Sequence, residues 1–169
     1  MSETTIESAT VEDIPQLADL LMELFSLGTD FKPDHAKQIR GLRLILEQPS
    51  RGRIFVLRRN DMILGMINLL FTISTAEGGF VALLEDLVIH RDYRGQDFGH
   101  LLLKHATDYC REKEFLRITI VTDRGREDAA RFFRENGFEE SNLIVMRKLL
   151  NPPVEQIVAE SSEWQKNPL

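Results

Sequence analysis

Apolar and polar positions along the chain alternate with two periods, and together they predict a mixed order of strands and helices. Thr4 to Ala9 alternates residue by residue. The cluster Thr10-Val11-Glu12-Asp13 then leads into Ile14, Leu17, Leu20, Leu21, Leu24 and Phe25, spaced as one face of a helix that Gly28 ends. A loop from Leu27 to Pro33 follows, and Asp34 caps a second helix carrying Ile39, Leu42, Ile45 and Leu46, closed by Pro49 and Gly52. Ile54 to Leu57 and Met62 to Ile73 read as two strands joined by the polar turn Arg58 to Asp61. The second is apolar almost throughout and suits a central position covered on both faces, with Gly65 a bulge or twist point.

Glu77-Gly78-Gly79 turns the chain into another strand, Phe80 to Ile89. A charged turn with two glycines comes next, and then the helical period of Phe98 to Leu103 and beyond. Leu116 to Val121 is a short β-branched run joined to that helix in βαβ fashion, Asp128 to Glu135 is a short helix stopped by Asn136-Gly137, and Phe138 to Leu149 returns to an extended pattern. This order describes a mixed sheet with helices on both faces, and such a sheet offers a ligand site where parallel neighbours part.

The length of 169 residues fits one domain, placed at residues 1–150, with residues 151–169 as a polar tail opened by Pro152-Pro153. Composition, 43% hydrophobic and 28% charged, is that of an ordinary globular chain. The formal net charge of −6 sets a penalty on approach to nucleic acid or an anionic bilayer, so neither is expected as a partner. A single cysteine, Cys110, makes no internal disulfide and no zinc pattern, which points to a reducing compartment and to no metal. The opening residues lack a basic start and an apolar core, and no run approaches the ~18 apolar residues of a membrane span. A cytoplasmic location is expected.

Chemistry concentrates between Leu84 and Leu103, LEDLVIHRDYRGQDFGHLLL. An extended segment that delivers backbone amides into a glycine-containing turn and then opens a helix favours an anion, because unpaired amides and the helix dipole act together there.

LEDLVI followed by YRGQDFGHLLL, with AARFFRENGF later, resembles the Gcn5-related N-acetyltransferase (GNAT) family over Thr5 to Leu149. The family signature Arg/Gln-x-x-Gly-x-Gly/Ala falls on Arg94-Gly95-Gln96-Asp97-Phe98-Gly99. The resemblance implies a mixed central sheet of six to seven strands split between the fourth and fifth. It also implies transfer of an acetyl group from acetyl-coenzyme A to a primary amine of a small molecule or peptide, by direct attack, in a chain that forms a homodimer. The backbone of Leu87, Val88 and Ile89 would pair with the pantetheine as a further strand would. Gly95, Gln96, Asp97, Phe98 and Gly99 would cradle the pyrophosphate, with Arg94 adding charge.

Glu85 is the implied base, since an amine arrives as an ammonium and attacks only after losing a proton. Strand alternation places Asp86 on the opposite face. Acceptor choice falls to Asp30 and Phe31 between the first two helices, an acid and a ring suited to an aliphatic ammonium. Three positions depart from the family pattern. Asp97 puts a carboxylate at the mouth of an anion site, facing away from the amides or folded onto them. Phe133 stands where a tyrosine commonly protonates the leaving thiolate, and Arg126 stands where an asparagine is usual. These departures support an alternative, a non-catalytic acyl-coenzyme A binding or regulatory protein of the same fold. Arg124, Arg126, Arg131 and Arg134 read as a solvated helix face balanced by Glu127 and Glu135 rather than as ligands of the coenzyme's 3′-phosphate.

Overall fold

A computed structural model describes residues 3–28 and 30–150. Its contacts divide the chain into two units, Met1–Glu139 and Glu140–Leu169. In the first unit the elements run β1 (Thr4–Ser8), α1 (Ile14–Leu27), α2 (His35–Leu46), β2 (Gly52–Arg59), β3 (Met62–Ser74), β4 (Gly79–Ile89), α3 (Phe98–Glu112), β5 (Ile118–Ile120) and α4 (Glu127–Glu135). Single 3-10 turns at Val11–Asp13 and Arg91–Tyr93 precede α1 and α3. The expected order of elements holds through α4. Within the second unit, the described residues 140–150 form neither helix nor strand.

The sheet is five-stranded in the order β1-β2-β3-β4-β5, antiparallel except for the parallel β4–β5 pair. Six to seven strands were expected, and the difference lies at Phe138 to Leu149, where no strand forms. Leu143, Ile144, Val145 and Met146 are instead 87%, 72%, 60% and 86% exposed, so their apolar run has no ladder to join. A β-type pattern states which side chains suit a pleated surface, and it does not supply the partner strand.

Both sheet faces are covered, as the long apolar run of β3 predicted. Leu57, Leu64, Ile67, Leu69 and Leu84 pack with Leu102, Leu103 and Ala106 of α3 on one face. Val56, Met66 and Val88 pack with Leu17, Leu20 and Leu21 of α1 and Leu42 of α2 on the other. Each of these Leu, Ile, Val and Met side chains, fully buried, contributes roughly 1.5–3 kcal/mol of transfer free energy. Side chains also fix α1 to the sheet. Gln16 donates to the Asp61 carbonyl and accepts from the Ile63 amide, clamping the β2–β3 turn. Arg58 reaches both Glu7 and Asp13, at 2.6 and 2.7 Å, and so fastens β1 and the entry of α1 to β2.

Side chains cap α2 and the 3-10 turn ahead of α1. Asp34 accepts from the Lys37 amide ahead of α2, and Thr10 and Asp13 form a reciprocal capping box. Among the described residues no helix is long and apolar enough to cross a membrane.

Candidate active site

The site is created by one extra residue in β4. Asn68 pairs with Asp86 and Leu69 with Leu84, so Glu85 has no partner on β3 and forms a bulge. The consequence is a change of parity. Leu84 and Leu87, three apart, both pack on the α3 face, whereas Asp86 and Val88 face the α1 side. Strict alternation would separate Glu85 from Asp86. The bulge puts Leu84 and Asp86, two apart, on opposite faces and leaves Glu85 exposed between them, near enough for its charge to act on Asp86.

Backbone parity changes with it. Before the bulge, the Ala82 amide points to β5 and donates to the Arg117 carbonyl at 2.9 Å. After it, the His90 amide donates to Leu64 on β3 at 2.8 Å. Alternation from His90 turns the N–H and C=O of Val88 toward β3 and those of Leu87 and Ile89 away from it. The β5 partners end at Leu84, paired with Ile120. Beyond that point the two strands part, and the outward groups of Leu87 and Ile89 line an opened edge. Val88 contributes a buried side chain, 4% exposed, and no edge group.

The turn that follows is an open amide cradle. Gly95 has φ +76°, and a Cβ there would meet nothing within 4 Å, so its glycine serves conformation rather than close packing. Asp97 is the N-cap of α3 at φ 63°, and its side chain makes no capping hydrogen bond. The carboxylate therefore does not occupy the amides, and Asp tolerates this left-handed conformation better than most residues. The first intrahelical bond is Leu101 to Asp97, 3.1 Å, which leaves the amides of Phe98, Gly99 and His100 available at the positive end of the helix dipole. At Gly99 a Cβ would stand in ordinary van der Waals contact with the Phe132 ring of α4, at 3.5 Å, so packing alone does not require glycine there. Phe98 is anchored in the core at 9% exposure, while Gln96 is exposed.

Arg94 does not point into this cradle. Its Nε donates to the Ile89 carbonyl at 2.9 Å and its Nη2 to Glu23 Oε2 at 3.2 Å. Sequence reasoning missed Glu23, a polar residue on an amphipathic helix with nothing local to single it out. The same carboxylate accepts from the Arg91 amide at 3.0 Å and lies 3.7 Å from His90 Nε2. His90 Nδ1 accepts from the Asp92 amide at 3.3 Å.

The remaining candidates are dispersed. Phe31, 54% exposed, lies against the Phe25 ring of α1 with centroids 5.8 Å apart, and Asp30 is exposed beside it. Phe133 is 8% exposed and packs edge-on against Phe132 and Phe138. Arg126 makes a bidentate pair with Asp128, and Arg134 pairs with Glu127. Cys110 is buried, which pushes its thiol up to about 11, so it supplies no thiolate nucleophile near neutral pH.

These features can hold a pyrophosphate on backbone amides, pair an extended amide-containing ligand along the opened edge of β4, and offer a carboxylate at the bulge. Comparison with known proteins gives the family. The model of the Acetyltransferase (GNAT) family matches residues 14–138. An aminoalkylphosphonate N-acetyltransferase of Salmonella typhimurium is 26% identical over 137 residues, covering 81% of this chain and 86% of its own. A transcriptional regulator from Bacillus halodurans, 26% identical, superposes with a TM-score of 0.75 over 87% of this chain and 100% of its own. An aminoglycoside N-acetyltransferase in complex with coenzyme A is 13% identical and superposes with a TM-score of 0.74, over 88% and 96%. The parted strands, the open cradle and a family match spanning both show that this chain belongs to the GNAT acetyltransferase family.

Proposed function

We propose that the chain transfers an acetyl group from acetyl-coenzyme A to a primary amine of a small molecule or peptide. The observation that carries this reading is the opened edge of β4 running directly into an amide cradle that Asp97 leaves free. Acetyl-coenzyme A supplies an activated thioester. Leu87, through its outward N–H and C=O, and Ile89, through its outward N–H, hold the pantetheine amides, and the amides of residues 95–100 hold the pyrophosphate. Glu85, exposed at the bulge, accepts the ammonium proton so that the neutral nitrogen attacks the thioester carbonyl. The C–N bond forms at the thioester carbonyl and the C–S bond breaks; the nitrogen gives its second proton to solvent water, and the departing thiolate takes one from solvent water, since Phe133 has none to give. Asp30 and Phe31 contribute to acceptor choice.

The test is thiol release from acetyl-coenzyme A over a panel of polyamines, amino acids, aminoalkylphosphonates, aminoglycosides and peptide N-termini. Release with one class, reduced about 10²-fold or more in Glu85→Gln, is the expected result. No release with any amine, together with retained coenzyme binding, would establish a second reading. That reading is a non-catalytic acyl-coenzyme A binding or regulatory protein, and the buried Phe133 in place of a proton donor favours it.

A further inference from the structure

The Glu23 carboxylate joins two parts of the molecule that the proposed reaction uses separately. It sits in the C-terminal half of α1, the helix that leads into the acceptor-side loop carrying Asp30 and Phe31. It accepts from the Arg91 amide and from Arg94 Nη2, both in the loop that leads to the pyrophosphate cradle. Arg94 in turn donates to the carbonyl of Ile89, the last residue of the opened strand edge. We propose that Glu23 is a positioning residue that, through Arg94, holds the coenzyme cradle against the acceptor-side helix, so that coenzyme binding orders the acceptor side. This rests on the coenzyme reading of the cradle.

The arrangement differs from an ordinary surface ion pair. Exposed pairs contribute little, because both side chains remain solvated and free to exchange partners. Here the Arg94 side chain is 42% exposed, but the Glu23 side chain is 23% exposed and takes a backbone N–H as well as a guanidinium. Charge-assisted hydrogen bonds of this kind set direction as well as attraction. The guanidinium spans from Glu23 to the Ile89 carbonyl, so a displacement of α1 is passed to the strand edge and to Gly95 next in the chain. Arg94 thereby serves as a strut. Its charge is neutralised by Glu23 instead of being presented to the phosphates, and the cradle acts through its amides.

Coenzyme A titrated by calorimetry into wild type, Glu23→Gln, Arg94→Gln and the double variant tests this without knowledge of the amine. Each single variant is expected to weaken coenzyme A about 5- to 20-fold, and the double no further than the weaker single, as for two residues acting through one contact. Hydrogen exchange supplies a readout that a merely structural role would not move. In wild type, coenzyme A slows exchange in a peptide covering residues 24–34, and in Glu23→Gln that protection is lost. Glu23→Gln binding coenzyme A within twofold of wild type, additive losses in the double variant, or protection of residues 24–34 unchanged by the substitution would each overturn the proposal. Wild type that binds no coenzyme A at all overturns the coenzyme reading and this inference with it.

Discussion

Asn68 Nδ2 donates to Asp86 Oδ2 at 2.9 Å in the centre of the sheet, with the two residues only 2% and 7% exposed. The Asn68 amide oxygen, Oδ1, has no hydrogen-bond partner among the described residues. Burial pushes the Asp86 carboxyl up to about 6, the Asn68 N–H opposes that shift, and the nearby Glu85 charge adds to it. A carboxyl whose folded value lies above its unfolded value favours folding while protonated. Its contribution is therefore full below about pH 4 and is lost as pH rises through 6. At about 1.36 kcal/mol per unit, the loss is on the order of 3 kcal/mol. Carboxyls held low by hydrogen bonds, Asp34, Asp108 and Asp128, act in the opposite sense and only as pH falls through the ordinary carboxylate range and below. Urea unfolding between pH 4.5 and 7 should show wild type losing stability relative to Asp86→Asn, whose amide has no proton to lose and offers an N–H to the unpartnered Asn68 oxygen. Parallel stability curves for the two proteins would show that Asp86 does not titrate in this range.

Asp97→Gly separates conformation from charge at the cradle. Glycine adopts φ 63° without strain but loses more chain entropy on folding, and these two effects, each about 1 kcal/mol, oppose one another. Stability should stay within about 1 kcal/mol of wild type. Removing a carboxylate from the mouth of an anion site should tighten coenzyme A by a few fold, more at low ionic strength than at high. Calorimetry at two salt concentrations checks both statements, and Asp97→Asn should reproduce the salt effect.

Phe133 is a packing residue, and its substitutions should read as packing changes. Phe133→Ala removes a ring in contact with Phe132 and Phe138 and should cost about 3–5 kcal/mol. Phe133→Tyr places a hydroxyl in an apolar cluster and should cost about 1–3 kcal/mol, with turnover left within twofold. A tenfold or larger gain in kcat for Phe133→Tyr would instead show that this position still addresses the leaving thiolate.

How much of this could be read beforehand depended on the range of the interaction. The helices from Ile14 to Leu27 and from His35 to Leu46 were legible to within a residue or two, because caps and apolar period are local. So was the strand-turn-helix from Phe80 through Leu103. The bulge at Glu85 was not, since it exists only in the register between β3 and β4. With it went the true face of Asp86 and the pairing with Asn68, eighteen positions earlier. Glu23 and Arg94, seventy-one positions apart, meet only once α1 lies across the sheet. Phe138 to Leu149 has the composition of a strand, but strand formation also requires a neighbour that composition does not name.

The opened edge of β4 is also held in place from behind, by the absence of a side chain at Gly65. A Cβ there would stand 2.4 Å from Ile89 Cδ1 and 2.9 Å from the Val88 carbonyl. The Ile89 methyl can rotate away. The Val88 carbonyl cannot, because it belongs to the ladder that joins β3 to β4. Gly65→Ala should therefore displace the end of β4, costing about 1–3 kcal/mol as overpacking does, and it should weaken coenzyme A by moving the outward groups of Leu87 and Ile89. Gly41 provides the contrast. It lies within α2, a Cβ there meets nothing within 4 Å, and Gly41→Ala should stabilise the protein by about 0.5–1 kcal/mol with coenzyme affinity unchanged. Urea unfolding with coenzyme A calorimetry on both variants decides the matter. Equal coenzyme affinity in Gly65→Ala and wild type would mean that the end of β4 does not position the ligand.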